Sequence, residues 1–131
     1  MSDPHRQFLP EQLLVNVRLM DDQHAHLFAQ LEALKELCIA QNALPQSEAE
    51  ALYQTLVEHC DSEAALATAA GVDFTAHNKK HQAMLTGIRK MINEVLHERL
   101  DVFSLIRYVD YWFERHILDE DKHLAKALGD S

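Results

Sequence analysis

A chain of 131 residues has room for one domain, large enough to bury a core without disulfide staples. With 47% apolar residues and only three Gly and three Pro, its composition excludes a disordered chain and a loop-rich β fold. A net charge of -9 argues against nucleic-acid phosphates and anionic membrane surfaces as partners.

The opening segment MSDPHRQFLPEQ lacks a basic stretch followed by an apolar one. No segment approaches the roughly 18 uninterrupted apolar residues of a membrane span, so a cytoplasmic protein with no membrane insertion is expected. Cys38 and Cys60 lie in apolar-periodic stretches and are expected to be small buried thiols, free in a reducing compartment. Nine histidines are a heavy load for this length, and imidazole is the commonest metal ligand among side chains.

Residues 1–18, punctuated by Pro4 and Pro10, are expected to form an extended arm, and residues 19–131 a bundle. From Asp21, read as an N-cap, Leu27, Phe28, Leu31, Leu34 and Cys38 recur at helical spacing, and His24 belongs to the same stripe. QNALPQS breaks this helix. Ser47 with Glu50 has the form of a capping box opening a second helix. Its inner face carries Leu52, Leu56, His59, Glu63 and Leu66, and it should end near Gly71.

A third helix is expected from about Thr75, with His77, His81, Met84, Leu85, Ile88, Met91 and Val95 on one stripe. HERLD then interrupts it, and Asp101 can cap a fourth helix carrying Leu105, Val109, Trp112, His116 and Leu124 inward. Short connections between long helices predict an all-α fold, an up-down-up-down antiparallel four-helix bundle with an N-terminal arm.

Two pairs have i, i+4 spacing, His59 with Glu63 and His77 with His81, and each projects from one helix face. Either pair alone is weak evidence. The turns give a stronger test, because residues of an antiparallel hairpin share a height when their numbers average to the centre of the connection. His59 with His81, and Glu63 with His77, both average to residue 70, beside Gly71. His81 with His116, and His77 with Asp121, average inside HERLD. His24 averages with Glu63, and with His59, inside the break at 41–46. Seven potential ligands therefore fall in one layer.

Core packing gives no reason for five imidazoles and two carboxylates to meet, and unpaired they would cost several kcal/mol each. Mixed imidazole and carboxylate donors on a bundle suit iron or manganese better than magnesium, calcium or a tetrahedral structural zinc. Seven ligands are too many for one ion and fit two ions bridged by carboxylates. The Glu-x-x-His motifs of ferritin-like bundles are matched by Glu94 with His97 and Glu120 with His123. Those two motifs would lie ~24 Å apart along the bundle and cannot share a centre. His5, His26, His97 and His123 are expected to be exposed or capping.

Taken together, DDQHAHLF, HCDSE, HNKKH and WFERHILDED resemble the four helix signatures of the hemerythrin family, including the bacteriohemerythrins, over roughly residues 8–128. The resemblance implies one iron held by His77, His81 and His116 and a second by His24 and His59. Glu63 and Asp121 would bridge them, together with an oxo or hydroxo group. Straight-helix geometry favours Glu120 over Asp121, since i+5 falls about 140° around the helix from His116. Either a local π-bulge or the lateral offset between two metals would reconcile that geometry with the family pattern.

In that family dioxygen binds reversibly at the iron with two histidines, which implies oxygen storage, delivery or buffering without catalytic turnover. By position, Leu27, Cys60, Trp112, Phe113, Ile117 and Leu118 are expected to line the oxygen pocket, where the family's bulky aromatic after the second-helix histidine is here Cys60. Two other roles known for such domains are an oxygen- or redox-sensing module of a signalling protein and a di-iron peroxidase or nitric oxide reductase.

Overall fold

The structure, a computed structural model, describes residues 10–129. A 3-10 turn at Glu11–Leu13 precedes helices α1 (Arg18–Gln41), α2 (Gln46–Ala70), α3 (Thr75–Leu96) and α4 (Val102–His116). A π turn at Ile117–Asp121 joins α4 to α5 (Lys122–Gly129), and there is no strand among the described residues. Pro4 and His5, placed in the expected arm, lie outside the described residues. From Pro10 onward the arm packs Leu13 and Val15 into the core.

Cross-helix pairs fix the direction of each helix. Glu63 meets His77 while Glu50 meets Arg89, so α2 and α3 run oppositely. His24 meets Asp121 while Lys35 meets Asp110, so α1 opposes the strand of helix formed by α4 and the π turn. Between α3 and α4, His81 faces His116, and a methyl group added at Gly87 would come within 2.8 Å of the Tyr108 hydroxyl. Glycine at 87 therefore leaves room for the Tyr108 ring between these two helices. α1 packs on α2 and α4, and α3 closes the ring between α2 and α4, giving a four-helix bundle.

The helix ends follow local chemistry in two places and depart from it in two others. α2 stops at Gly71, whose φ of 70° is left-handed; Val72 N–H donates to Ala67 O and Gly71 N–H to Thr68 O, a Schellman closure. Asp101 caps α4, accepting from Phe103 N–H at 3.2 Å.

Asp21 is not the cap of the first helix. α1 begins three residues earlier, after Val17, and the fully buried Asp21 carboxylate reaches back to accept from Val15 N–H at 2.8 Å and Asn16 N–H at 3.1 Å. The amides of the turn leading into the helix take the carboxylate that the helix terminus was expected to use. The capping box at Ser47 is also absent. α2 begins at Gln46 after Pro45, and the Ser47 hydroxyl donates to Glu48. Glu50 instead receives two hydrogen bonds from Arg89 across the bundle, at 2.6 and 2.8 Å, a bidentate pairing that outcompetes a single backbone bond.

One half of the bundle is filled by Leu31, Leu34, Leu52, Ile88, Leu105 and Val109. The other half, toward Gly71, holds the polar layer described below. Cys38 and Cys60 are both buried free thiols. Among the described residues no helix is long and apolar enough to cross a membrane.

Candidate metal centre

Each helix contributes to the polar layer through its own periodicity. In α1, Met20, His24, Leu27 and Leu31 form one buried stripe, and His24 is fully buried within it. α2 places His59 one turn before Glu63, with Nε2 to Oε2 at 3.0 Å. α3 sets His77 and His81 edge to face with ring centroids 4.5 Å apart, and α4 supplies His116 near its end. Among the described residues eight polar side chains are buried; Asp21 is tied to the arm, and the other seven form this layer.

Asp121 enters the layer because the helix widens. Across the π turn the Lys122 N–H donates to Ile117 O, five residues back, and this brings the fifth residue after His116 onto the histidine's face. Asp121 is thereby fully buried, whereas Glu120 turns outward to an ion pair with Lys80.

The seven side chains divide into two sets that share both carboxylates. Glu63 Oε1 lies 3.3 Å from His77 Nε2 and 3.1 Å from His81 Nε2, while Oε2 lies 3.0 Å from His59 Nε2 and 3.6 Å from His24 Nε2. Asp121 Oδ1 lies 3.1 Å from His77 Nε2 and 3.0 Å from His116 Nε2, while Oδ2 lies 2.9 Å from His24 Nε2. One oxygen of each carboxylate therefore faces the histidine triad, and the other faces the histidine pair. Within each set the donor atoms all lie within 4.8 Å of one another.

Hydrogen bonding does not account for this arrangement. His116 Nε2 sits 3.1 Å from His77 Nε2 and 3.0 Å from His81 Nε2, so three ring nitrogens converge where each neutral ring has a single proton to offer. Both oxygens of Glu63 and of Asp121, and Nε2 of His24 and of His59, are buried with no partner outside the layer, only ion-pair contacts with one another. Unmet polar atoms at this density are costly, and a metal cation among them satisfies all the lone pairs at once. The spacing fits as well: donors about 2.1 Å from a metal lie roughly 3.0 Å apart when mutually perpendicular and about 3.4 Å apart in a tetrahedron. The two edges from His116, 3.1 Å to His77 and 3.0 Å to His81, match the perpendicular case.

The charge balance is set by the same contacts. Burial pushes His24 and His77 down, but the facing Asp121 and Glu63 carboxylates outweigh it and hold each at about 9. Burial pushes Glu63 and Asp121 up, and the surrounding imidazoles more than reverse it, leaving both well below the usual carboxylate range. His81 is lowered by burial, with Glu63 opposing and His116 and His77 reinforcing the shift. Burial, together with the Glu63, Asp121 and Asp61 carboxylates, pushes the Cys60 thiol far up, so it stays neutral.

The residues expected around an oxygen pocket take different places. Leu27, Cys60, Phe113 and Ile117 are buried, and Leu118 and Trp112 are half-buried. Phe113 sets its ring perpendicular to His24, centroids 5.7 Å apart, and packs on Phe28. Trp112 stacks on His116 at 4.4 Å and so belongs beside the histidine triad. His26, His97 and His123 are exposed, and His97 Nδ1 donates to Asn93 O, closing the end of α3. Glu94 faces Arg99 and belongs to neither set of donors.

Two neighbours escaped the sequence reading. Phe74, the residue before α3, stacks on His77 at 4.5 Å, and Gln23 contacts His59 Nδ1 at 2.6 Å. Phe74 lies three residues before His77, a spacing that could have suggested it, but Gln23 shows no periodic signal. No family model, curated protein or solved structure matches the chain.

Proposed function

We propose that the chain is a hemerythrin-type non-heme di-iron protein that binds dioxygen reversibly, for storage, delivery or buffering of oxygen. The carrying observation is the division of each carboxylate, with one oxygen of Glu63 and of Asp121 toward the triad and the other toward the pair. Side chains that merely balanced buried charge would have no reason to split in that manner, whereas two adjacent cations require it. Five protein donors serve one ion and four the other, so the side of His24 and His59 retains the more open coordination. Imidazoles and carboxylates in this proportion suit iron.

Two ferrous ions would supply the electrons that reversible dioxygen binding draws on. The protein's own part is to hold both ions at fixed separation and to keep water from the more open one. Phe113 covers His24 from one side, and Leu27, Cys60 and Ile117 are buried apolar side chains next to or one turn from the donors in sequence, which favours a site poor in water. The neutral Cys60 thiol does not compete as a thiolate ligand.

An anaerobic iron titration followed by exposure to air, watched by visible absorption, tests this reading. Two irons per chain and a charge-transfer band that appears in air and disappears under vacuum are expected. Immediate oxidation without any reversible band would instead assign the centre to turnover or redox sensing. One zinc per chain would overturn the di-iron reading.

A further inference from the structure

The His59 Nδ1–H donates to Gln23 Oε1 at 2.6 Å, a short hydrogen bond, and the Gln23 Nε2 amide donates onward to Ser62 Oγ at 2.9 Å. Gln23 stands next to His24 on α1, and Ser62 lies three residues beyond His59 on α2. A single amide therefore ties together the two helices that carry the histidine pair. Among the described residues His24 Nδ1 and His81 Nδ1 have no such tie and are buried without a hydrogen-bond partner.

The direction of this bond matters chemically. An imidazole binds metal through Nε2 only when its proton sits on Nδ1, and the partner of Nδ1 selects that tautomer. If the Gln23 amide were turned over, its NH2 group would face Nδ1, and the ring proton would move to Nε2, pointing at Glu63 Oε2. The Ser62 hydroxyl accommodates either orientation, since it both donates and accepts. Which histidine tautomer is presented to the layer therefore depends on Gln23, a residue that itself lies outside both sets of donors.

We propose that Gln23 is a positioning residue for the histidine pair, fixing His59 with Nε2 free toward Glu63 and tuning the electron density of the metal held by His24 and His59 while leaving the triad unaffected. This inference rests on the two-metal reading above. An amide oxygen holds the ring proton on Nδ1; a carboxylate at the same place would accept a stronger hydrogen bond from it and make the ring a stronger donor to the metal.

The test uses iron-loaded protein, with Gln23→Leu, Gln23→Glu and Ser62→Ala compared with the parent by anaerobic Fe2+ titration and by Mössbauer spectroscopy of 57Fe. Gln23→Leu should weaken one of the two iron equivalents about 10- to 100-fold and alter one of the two iron signals. Ser62→Ala should act in the same direction but less. Gln23→Glu, nearly the same shape and certain to keep an acceptor, should restore binding and shift that one signal while lowering the reduction potential. If both irons change together, or neither does while the parent binds two, the assignment of Gln23 is overturned. A parent protein that takes up fewer than two irons overturns the two-metal reading and this inference with it.

Discussion

Glu120 and Asp121 are neighbours in the chain and face opposite ways: Asp121 Oδ2 lies 2.9 Å from the buried His24, and Glu120 pairs with Lys80 at the surface. The π turn separates them. Asp121→Ala should therefore lower iron content, as should Glu63→Ala, whereas Glu120→Ala and Glu94→Ala should leave it unchanged. Metal analysis of the purified variants checks this, and an iron-free Glu120→Ala protein would show that the π turn does not persist in solution.

Ligand loss should also unfold the protein more easily, because the layer joins all four helices. His77→Ala or His81→Ala is expected to reduce iron content and thermal stability together. Iron at a thousandfold excess over its dissociation constant adds about 4 kcal/mol to the parent. A variant that loses iron but melts at the parent's temperature would mean that the metal is not coupled to folding.

Without metal, stability should depend on pH in a predictable sense. His24 and His77 are raised from 6.5 to about 9, so their contribution is complete below pH 6.5 and is lost as pH rises through about 9. Glu63 and Asp121 are lowered, so theirs is present above the ordinary carboxylate range and is lost as pH falls. The metal-free protein should thus be most stable at about pH 5 to 6.5 and weaken toward 9. Iron takes the place of those histidine protons, so loading should release protons and remove the alkaline decline. Melting curves across pH with and without a chelator test it; identical profiles would contradict the charge balance described here.

Access of water to the centre should govern how long an oxygen adduct survives. Cys60 follows His59 and is buried, and Ile117 follows His116 and is fully buried. Cys60→Phe is expected to slow autoxidation by roughly tenfold, equivalent to about 1.4 kcal/mol in the barrier. Ile117→Ala should hasten it, with a stability loss of about 2 to 5 kcal/mol from the cavity left behind. Decay of the visible band after air exposure measures both, and unchanged decay in two folded variants would remove these residues from control of access.

Much of the bundle was legible in chain order. The apolar stripes of all four helices, the ends at Gly71 and Asp101, and the two i, i+4 ligand pairs follow from periodicity and turn chemistry, which act between residues close in sequence. Averaging residue numbers about each turn even placed His24, His59, Glu63, His77, His81, His116 and Asp121 in one layer, and the structure brings these seven together. The same local reasoning failed at Asp21 and Ser47. Asp21 was taken by the Val15 and Asn16 amides of the incoming arm, and Glu50 by Arg89 from another helix.

Only the tertiary structure supplied three things: the π turn that puts Asp121 and not Glu120 on the histidine face, the direction of each carboxylate oxygen, and the Gln23 tie to His59. An α turn and a π turn differ by one residue in a local hydrogen-bond ladder, and which is adopted depends on what the displaced side chains meet on other helices. Here Asp121 meets His24 and Glu120 meets Lys80. Those contacts join residues tens of positions apart, so their geometry is set when the helices pack and is not written in the spacing of any one of them.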